Sequence, residues 1–279
     1  GEHHPLDLDK VEDIHTTGGT ILGTSRTNPY KVENGVKQIK DNLKKFKCEA
    51  LIAIGGEDTL GVAKKLYEEG VNIVCVPKTI DNDLSATDYT VGFDSAVNII
   101  MDAIDKLHTT AASHERCIVV EIMGRHAGWL ALHGGMAASA DFILLPEEKF
   151  DIDELAEKIK KRHNSGKKHT IIAVSEGATP KDTEGFITIN NKKDAFGHVR
   201  LGGISKILAD EIEKRTGIET RHVVLGHLQR GGQPTAFDRI LGLRLGIKAV
   251  ELVHKKQFGK MASLKGCLLY TSPSPRDRG

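Results

Sequence analysis

Three observations predict an α/β fold: short apolar runs bounded by glycine, longer amphipathic stretches between them, and polar, glycine-rich segments directly after the runs. The runs are ALIAI (50–54), NIVCVP (72–77), RCIVVEIM (116–123), DFILLP (141–146), HTIIAVSEG (169–177) and RHVVLG (221–226). Continuous apolar runs of this length suit strands buried on both faces of a parallel sheet. Between Val32 and Phe46 the apolar positions Val32, Val36, Ile39, Leu43 and Phe46 recur every three or four residues, the stripe of an amphipathic helix. Further helices are expected over 59–69, 93–108, 127–138, 152–163, 201–215 and 236–254.

Composition narrows the function classes. The chain has 279 residues, with 39 Lys and Arg against 38 Asp and Glu and a net charge of +1. That length suggests about two domains, each able to bury its own core. A balanced charge without a long basic block gives no reason to expect a nucleic-acid or membrane-surface partner. Cys48, Cys75, Cys117 and Cys267 are far apart and form no CxxC pair, so they read as reduced thiols rather than a zinc ribbon or disulfide framework. No apolar run reaches the ~18 residues of a membrane span, and the polar start GEHHPLDLDK has no secretory core, so a cytoplasmic location is expected. The chain begins without Met, and residues 267–279, CLLYTSPSPRDRG, differ in texture from what precedes them. They read as a foreign tail on a fragment.

In parallel sheets ligands bind beyond the carboxyl ends of the strands, so chemistry is sought in the loops after the apolar runs. There stand GGEDT (55–59), PKTIDND (77–83), MGRHAGW (123–129), SEG (175–177) and GHLQRGG (226–232). Gly55 and Gly56 suit either a phosphate cradle at a helix N-terminus or a tight turn with a capping Asp. Glu57 and Asp58 beside them repel phosphate unless a divalent cation or a basic residue intervenes. In PKTIDND, Asp81 and Asp83 offer one carboxylate for a base and another near a metal, and Lys78 supplies compensating charge. Asn82 reads as a turn residue whose side chain satisfies nearby backbone.

These segments, with TDYTVGFDSA, SHER (113–116) and ETRHVVLGHLQRGGQPTAFDR, resemble the phosphofructokinase family in matching order over about residues 15–266. The resemblance implies two doubly wound α/β domains with mainly parallel sheets and an active site in the cleft between them. It implies a phosphoryl-donor domain of 1–92 plus 230–266 and a fructose 6-phosphate domain of 93–229. The implied reaction is phosphoryl transfer to the 1-hydroxyl of fructose 6-phosphate with Mg2+, in glycolysis.

Residue by residue, the resemblance makes Asp81 the general base, with Thr79 and Arg125 beside it in the catalytic set. Glu57 takes the magnesium-associated position, and Asp83 supports the metal through water. Arg26, Gly56, Asp58 and Lys78 fall on the donor side. Thr79, Ile80, Asp81, Met123, Gly124, Arg125 and Glu176 fall where the family contacts the sugar. Arg221, His227 and Arg230, in company with Leu228 and Gln229, are expected to hold its 6-phosphate. Arg116 matches an arginine given by a neighbouring subunit, which implies a homo-oligomer. The family's N-terminal glycine-rich loop would lie upstream of residue 1.

Asp58 and Lys78 stand where many ATP-using relatives carry glycine. A carboxylate at Asp58 adds bulk and negative charge where the α-phosphate of ATP would lie, whereas pyrophosphate has no such group. Lys78 can meet the remaining phosphate, and the pair resembles the pyrophosphate-dependent, GGEDT-bearing bacterial-type group of the family, so pyrophosphate is the expected donor. An ATP-dependent enzyme and a non-catalytic regulatory relative are the alternatives, the latter opposed by the intact Asp81 and Arg116. A dinucleotide oxidoreductase is opposed by the lack of GxGxxG after any run.

Overall fold

The computed structural model describes residues 3–25, 27–182, 188–193 and 199–273. In chain order its elements are α1 (Leu8–Val11), α2 (Gly35–Lys45), β1 (Leu51–Gly55), α3 (Glu57–Glu68), β2 (Ile73–Pro77), α4 (Phe93–Ser113), β3 (Cys117–Ile122), α5 (Trp129–Ala137) and β4 (Phe142–Leu144). There follow α6 (Ile152–Asn164), β5 (Thr170–Ser175), β6 (Thr188–Lys193), β7 (Val199–Leu201), α7 (Ile204–Thr216), β8 (Thr220–Val224), α8 (Ala236–His254), β9 (Lys260–Lys265) and β10 (Leu268–Pro273). Two compact units divide them: residues up to 94 with those from 232 onward, and residues 95–193 with 199–231.

The first unit is built on a sheet of order β1-β2-β9-β10, parallel except for β10. Alternate residues of its central strand face opposite layers. Ile73 and Cys75 pack with Leu60, Ala63 and Leu66 of α3 and with Val36, Ile39 and Leu43 of α2. Val74 and Val76 pack with Leu241, Leu245, Ala249 and Leu252 of α8. Burial on both faces is why IVCVP (73–77) is apolar throughout rather than alternating.

The second unit carries an all-parallel sheet of order β4-β5-β3-β8. On one side Cys117, Val119, Ile172 and Val174 meet Leu155 and Ile159 of α6 and Ile204, Leu208 and Ile212 of α7. Ile118, Val120, Ile122, Ile171 and Ala173 point the other way and are also buried. On that side α5 lies against β5, with Gly135 beside Ala173, and α4 reaches α5 where Ile100 meets Gly134. Each fully buried Ile or Leu contributes about 1.5–3 kcal/mol. Both units are therefore doubly wound, and the carboxyl ends of their strands carry the polar loops.

The structure departs from the expected elements in instructive places. Helix α3 begins at Glu57 rather than Thr59, because acidic residues in a first turn are favoured by the helix dipole and Gly56 serves as N-cap. Helix α7 begins at Ile204 rather than Leu201, since Gly203 takes φ 93°, outside helical geometry. Strands β6, β7, β9 and β10 were not signalled by apolar runs. Strand β9 is buried through Met261, Ala262, Ser263 and Leu264, two of them small and one polar. Residues Leu268–Pro273, within the expected tail, pair antiparallel with β9. All four cysteines are free, and burial pushes the Cys75 thiol up to about 11 and Cys117 to about 12, away from thiolate chemistry.

Candidate active site

In the first unit the ends of β1 and β2 bring GGEDT and PKTIDND together. The Lys78 N–H donates to the Gly55 carbonyl at 2.9 Å, carrying the strand pairing one residue past β2. A Cβ at Gly56 would stand 3.3 Å from the Thr79 Cβ, so the two loops approach closely there. The turn beyond is held by its own side chains. The Thr79 Oγ1 accepts the Asp81 N–H at 3.2 Å and lies 3.5 Å from the Asp81 carboxylate. Thr90 Oγ1 donates to the Thr79 carbonyl at 2.6 Å, and its N–H donates to Asn82 Oδ1 at 2.9 Å. Asn82 adopts φ 51°, a left-handed conformation that Asn tolerates, and its amide also donates to the Asp88 carbonyl. The Gly92 N–H, beside Ile80, donates to buried Asp238 at the start of α8.

The electrostatics of this corner are set by four carboxylates. Local desolvation raises the Asp83 carboxyl to about 6, and the charges of Asp81, Glu57 and Asp58 add to the shift, although the residue as a whole remains exposed. Among the described residues no three acidic, His or Cys side chains close around one metal position. That donor set nevertheless fits Mg2+, which is held by one or two carboxylates and completes its shell with water and phosphate oxygens. Glu57, in the first turn of α3, and Lys78 are both exposed and accessible to such ligands, and Asp58 is half-buried. Arg26 lies outside the described residues.

In the second unit the loops after β3, β5 and β8 interlock. The Met123 N–H donates to Gln229 Oε1 at 3.1 Å, and Gln229, 1% exposed, donates through Nε2 to the Gly226 carbonyl. The Gly124 N–H approaches Glu176 Oε1 at 3.4 Å, while Ser175 Oγ donates to the Gly124 carbonyl at 2.6 Å. Gly124 takes φ 132°, which only glycine adopts readily, and a Cβ at Gly177 would fall 2.0 Å from the Arg125 carbonyl oxygen. Met123, Gly124, Arg125, Glu176 and Gln229 therefore share one loop cluster, followed by His227, Leu228 and Arg230 on the 3-10 turn Gly226–Arg230. His227, Leu228 and Arg230 are exposed.

Arg221 does not join that cluster, contrary to the sequence-based grouping with His227 and Arg230. It sits near the start of β8, where its guanidinium pairs with Glu219 at 2.6 Å and Glu213 at 3.8 Å. Arg116, just before β3, pairs with the same Glu219 at 3.2 Å, and its Nε is buried without a hydrogen-bond partner. Register places Ile118 opposite Arg221. At about 3.3 Å per residue, Ile118 is about 17 Å along β3 from Met123. The physical reason is strand direction: Arg116 and Arg221 occupy the amino ends of parallel strands whose carboxyl ends bear the other residues. Sequence reasoning gave no role to Glu121 or Asp238, buried acids that lie within the family-like segments EIMGRHAGW (121–129) and ETRHVVLGHLQRGGQPTAFDR (219–239).

The family model described as phosphofructokinase matches residues 1–253. A relative from Amycolatopsis mediterranei named pyrophosphate--fructose 6-phosphate 1-phosphotransferase is 59% identical over 266 residues, 95% of this chain and 77% of its own length. A Streptomyces coelicolor relative named ATP-dependent 6-phosphofructokinase 3 is 50% identical over 94% of this chain and 76% of its own length. The crystal structure of Pichia pastoris phosphofructokinase in the T-state superposes with a TM-score of 0.84 at 31% identity. That superposition covers 97% of this chain and spans 31% of the Pichia chain.

Proposed function

The chain belongs to the phosphofructokinase family, and from that premise we propose that it transfers a phosphoryl group from pyrophosphate to the 1-hydroxyl of fructose 6-phosphate. The products are fructose 1,6-bisphosphate and phosphate. One observation carries the reading: Glu57, Asp58, Asp81 and Asp83 all lie on the loops at the carboxyl ends of β1 and β2, where local desolvation, with the neighbouring charges adding to it, raises the Asp83 carboxyl to about 6. Such a corner calls for a cation and a phosphoryl group, and phosphoryl transfer is catalysed mainly by positioning and charge neutralisation.

Asp81 takes the proton of the 1-hydroxyl as its oxygen attacks the phosphorus, and Thr79 orients Asp81 through the contacts described above. Glu57 would hold Mg2+, with Asp83 supporting it through water; when bound, the metal spreads the negative charge of the phosphoryl oxygens. Lys78 and Arg26 meet the donor's phosphates. Asp58, at the head of α3, disfavours a third phosphate and so selects pyrophosphate over ATP. On the acceptor side Met123, Gly124, Arg125 and Glu176 position the sugar, and His227 and Arg230 hold its 6-phosphate.

Arg116 and Arg221, turned away from that cluster and joined through Glu219, serve the corresponding site of a second copy of the chain. The working protein is then a homo-oligomer. Among the described residues no helix is long and apolar enough to cross a membrane.

The decisive assay is fructose 1,6-bisphosphate formation from fructose 6-phosphate and Mg2+ with pyrophosphate or ATP as donor. Preference for pyrophosphate is expected, and its reversal by Asp58→Gly with Lys78→Gly supports the donor assignment. Preference of the wild type for ATP removes the role given to Asp58, and inactivity with both donors removes the catalytic reading.

A further inference from the structure

Strand β3 reads CIVVEI, and one of its six residues breaks the apolar pattern. Cys117 and Val119 face the α6–α7 layer, and Glu121 follows them at the next alternate position, 4% exposed. A carboxylate buried at a core position is costly unless its lone pairs are satisfied. Here they are. Both Glu121 oxygens accept the Gly203 N–H, at 3.2 and 3.1 Å, and Oε2 also accepts the Ser205 N–H at 3.0 Å and the Ser205 hydroxyl at 2.8 Å.

These donors belong to the start of α7, whose N-cap is Gly203, a residue with no side chain to cap the helix. Glu121 supplies that cap from a strand far away in sequence, and its negative charge suits the helix N-terminus. The same residue holds a second element: its backbone carbonyl accepts the Leu225 N–H at 3.1 Å, at the point where β8 passes into the turn bearing His227 and Arg230. Two residues further along the chain, just past the end of β3, the Met123 N–H is held by Gln229 from that turn. Glu121 is thus tied to α7 by its side chain and to the β8 turn by its backbone, immediately before the loop Met123–Gly124–Arg125.

We infer that Glu121 is a positioning residue for the sugar-side loops, locking the end of β3 against α7 so that Met123–Arg125 and the 226–230 turn keep one register. It touches no substrate. The inference rests on the proposed function for what the loops bind, but the anchoring it describes is readable without turnover.

Glu121→Gln keeps size and shape, yet sets an amide donor against the Gly203 N–H or the Ser205 donors. A misplacement of about 1 Å in positioned groups can cost about 10²-fold, so a smaller shift of these loops is expected to cost less. In Glu121→Gln we expect KM for fructose 6-phosphate to rise about tenfold, with KM for pyrophosphate unchanged and kcat reduced less than KM is raised. Ser205→Ala, which removes one of the four bonds, should give a smaller rise in the same constant. The double variant should cost less than the product of the two single effects, because both act through one contact.

Backbone amide exchange supplies the readout independent of activity. Faster exchange at Met123 and Gly124 together with Gly203 and Ser205 is expected in Glu121→Gln. Acceleration confined to Gly203 and Ser205, or a lower melting temperature with an unchanged sugar KM, reduces Glu121 to a helix cap and overturns the inference. A wild type inactive on fructose 6-phosphate overturns the proposed function instead, and the exchange pattern still decides the role of Glu121.

Discussion

The two loop clusters, one in each unit, solve opposite problems. The sugar-side cluster is held by hydrogen bonds that pair each polar group and by tight backbone approach: Gln229 on Met123, Ser175 on the Gly124 carbonyl, Glu176 towards the Gly124 N–H, and Gly177 against Arg125. The donor-side cluster instead gathers like charge, and local desolvation together with those charges raises the Asp83 carboxyl to about 6. On the proposed function, the second unit's loops take a neutral sugar ring with one phosphate, a site that can be assembled in advance from backbone groups. On the same proposal the first unit's loops take a polyanion and a cation, and such a site is left electrostatically unfinished because its ligands bring the missing charge.

The largest effect that would break this contrast concerns Asp81. Asp81→Asn should lower kcat by about 10²–10⁴-fold while leaving KM for fructose 6-phosphate within a few fold, since a general base is removed and the sugar-side cluster is untouched. A steady-state comparison with a rise in KM alone would make Asp81 a binding residue. Next in size is a complementation effect. Arg116→Ser and Asp81→Asn should each be nearly inactive alone, and co-refolded mixtures should regain activity, because mixed oligomers contain a site with an intact base and an intact neighbouring arginine. Mixtures that stay as inactive as their parents would place Arg116 within its own chain's chemistry.

Smaller effects sharpen the comparison between the clusters. Gly177→Ala forces a Cβ to 2.0 Å from a backbone oxygen and should destabilise the protein by about 1–3 kcal/mol or more, with a raised sugar KM. Gly56→Ala meets only the Thr79 side chain at 3.3 Å and should be milder in thermal melts. Equal losses would mean that the donor-side loops are as rigid as the sugar-side ones. The smallest effect is expected from pH. Because the folded Asp83 carboxyl titrates near 6 against 3.8 in its ordinary state, the folded form binds its proton more tightly. Its favourable contribution is full below about 4 and is lost as pH rises through 6. Asp83→Asn should therefore raise the melting temperature of the unliganded protein at pH 7 but not at pH 4, and Mg2+ with pyrophosphate should shrink the difference. A variant equally stabilised at both pH values would rule out charge crowding as the cause.

Much of this architecture is written in local pattern. Six apolar runs and the intervening stripes locate six strands and seven helices, because a strand buried on both faces must be apolar throughout and a helix on a sheet must repeat every three or four residues. The polar loops after the runs follow for the same reason, since parallel strands collect their carboxyl ends on one edge. Strand β9 escaped because Ala262 and Ser263 fill a buried strand with little hydrophobic signal. Tertiary structure alone separated Arg221 from His227 and Arg230 and set it beside Arg116 through Glu219, since that depends on the register of β3 with β8, a pairing between segments about a hundred residues apart. It alone turned Glu121 from an apparent misfit in an apolar strand into the cap of a distant helix. Local periodicity follows from burial of each segment's own side chains, whereas these partnerships arise only when separate segments are brought into one packed unit.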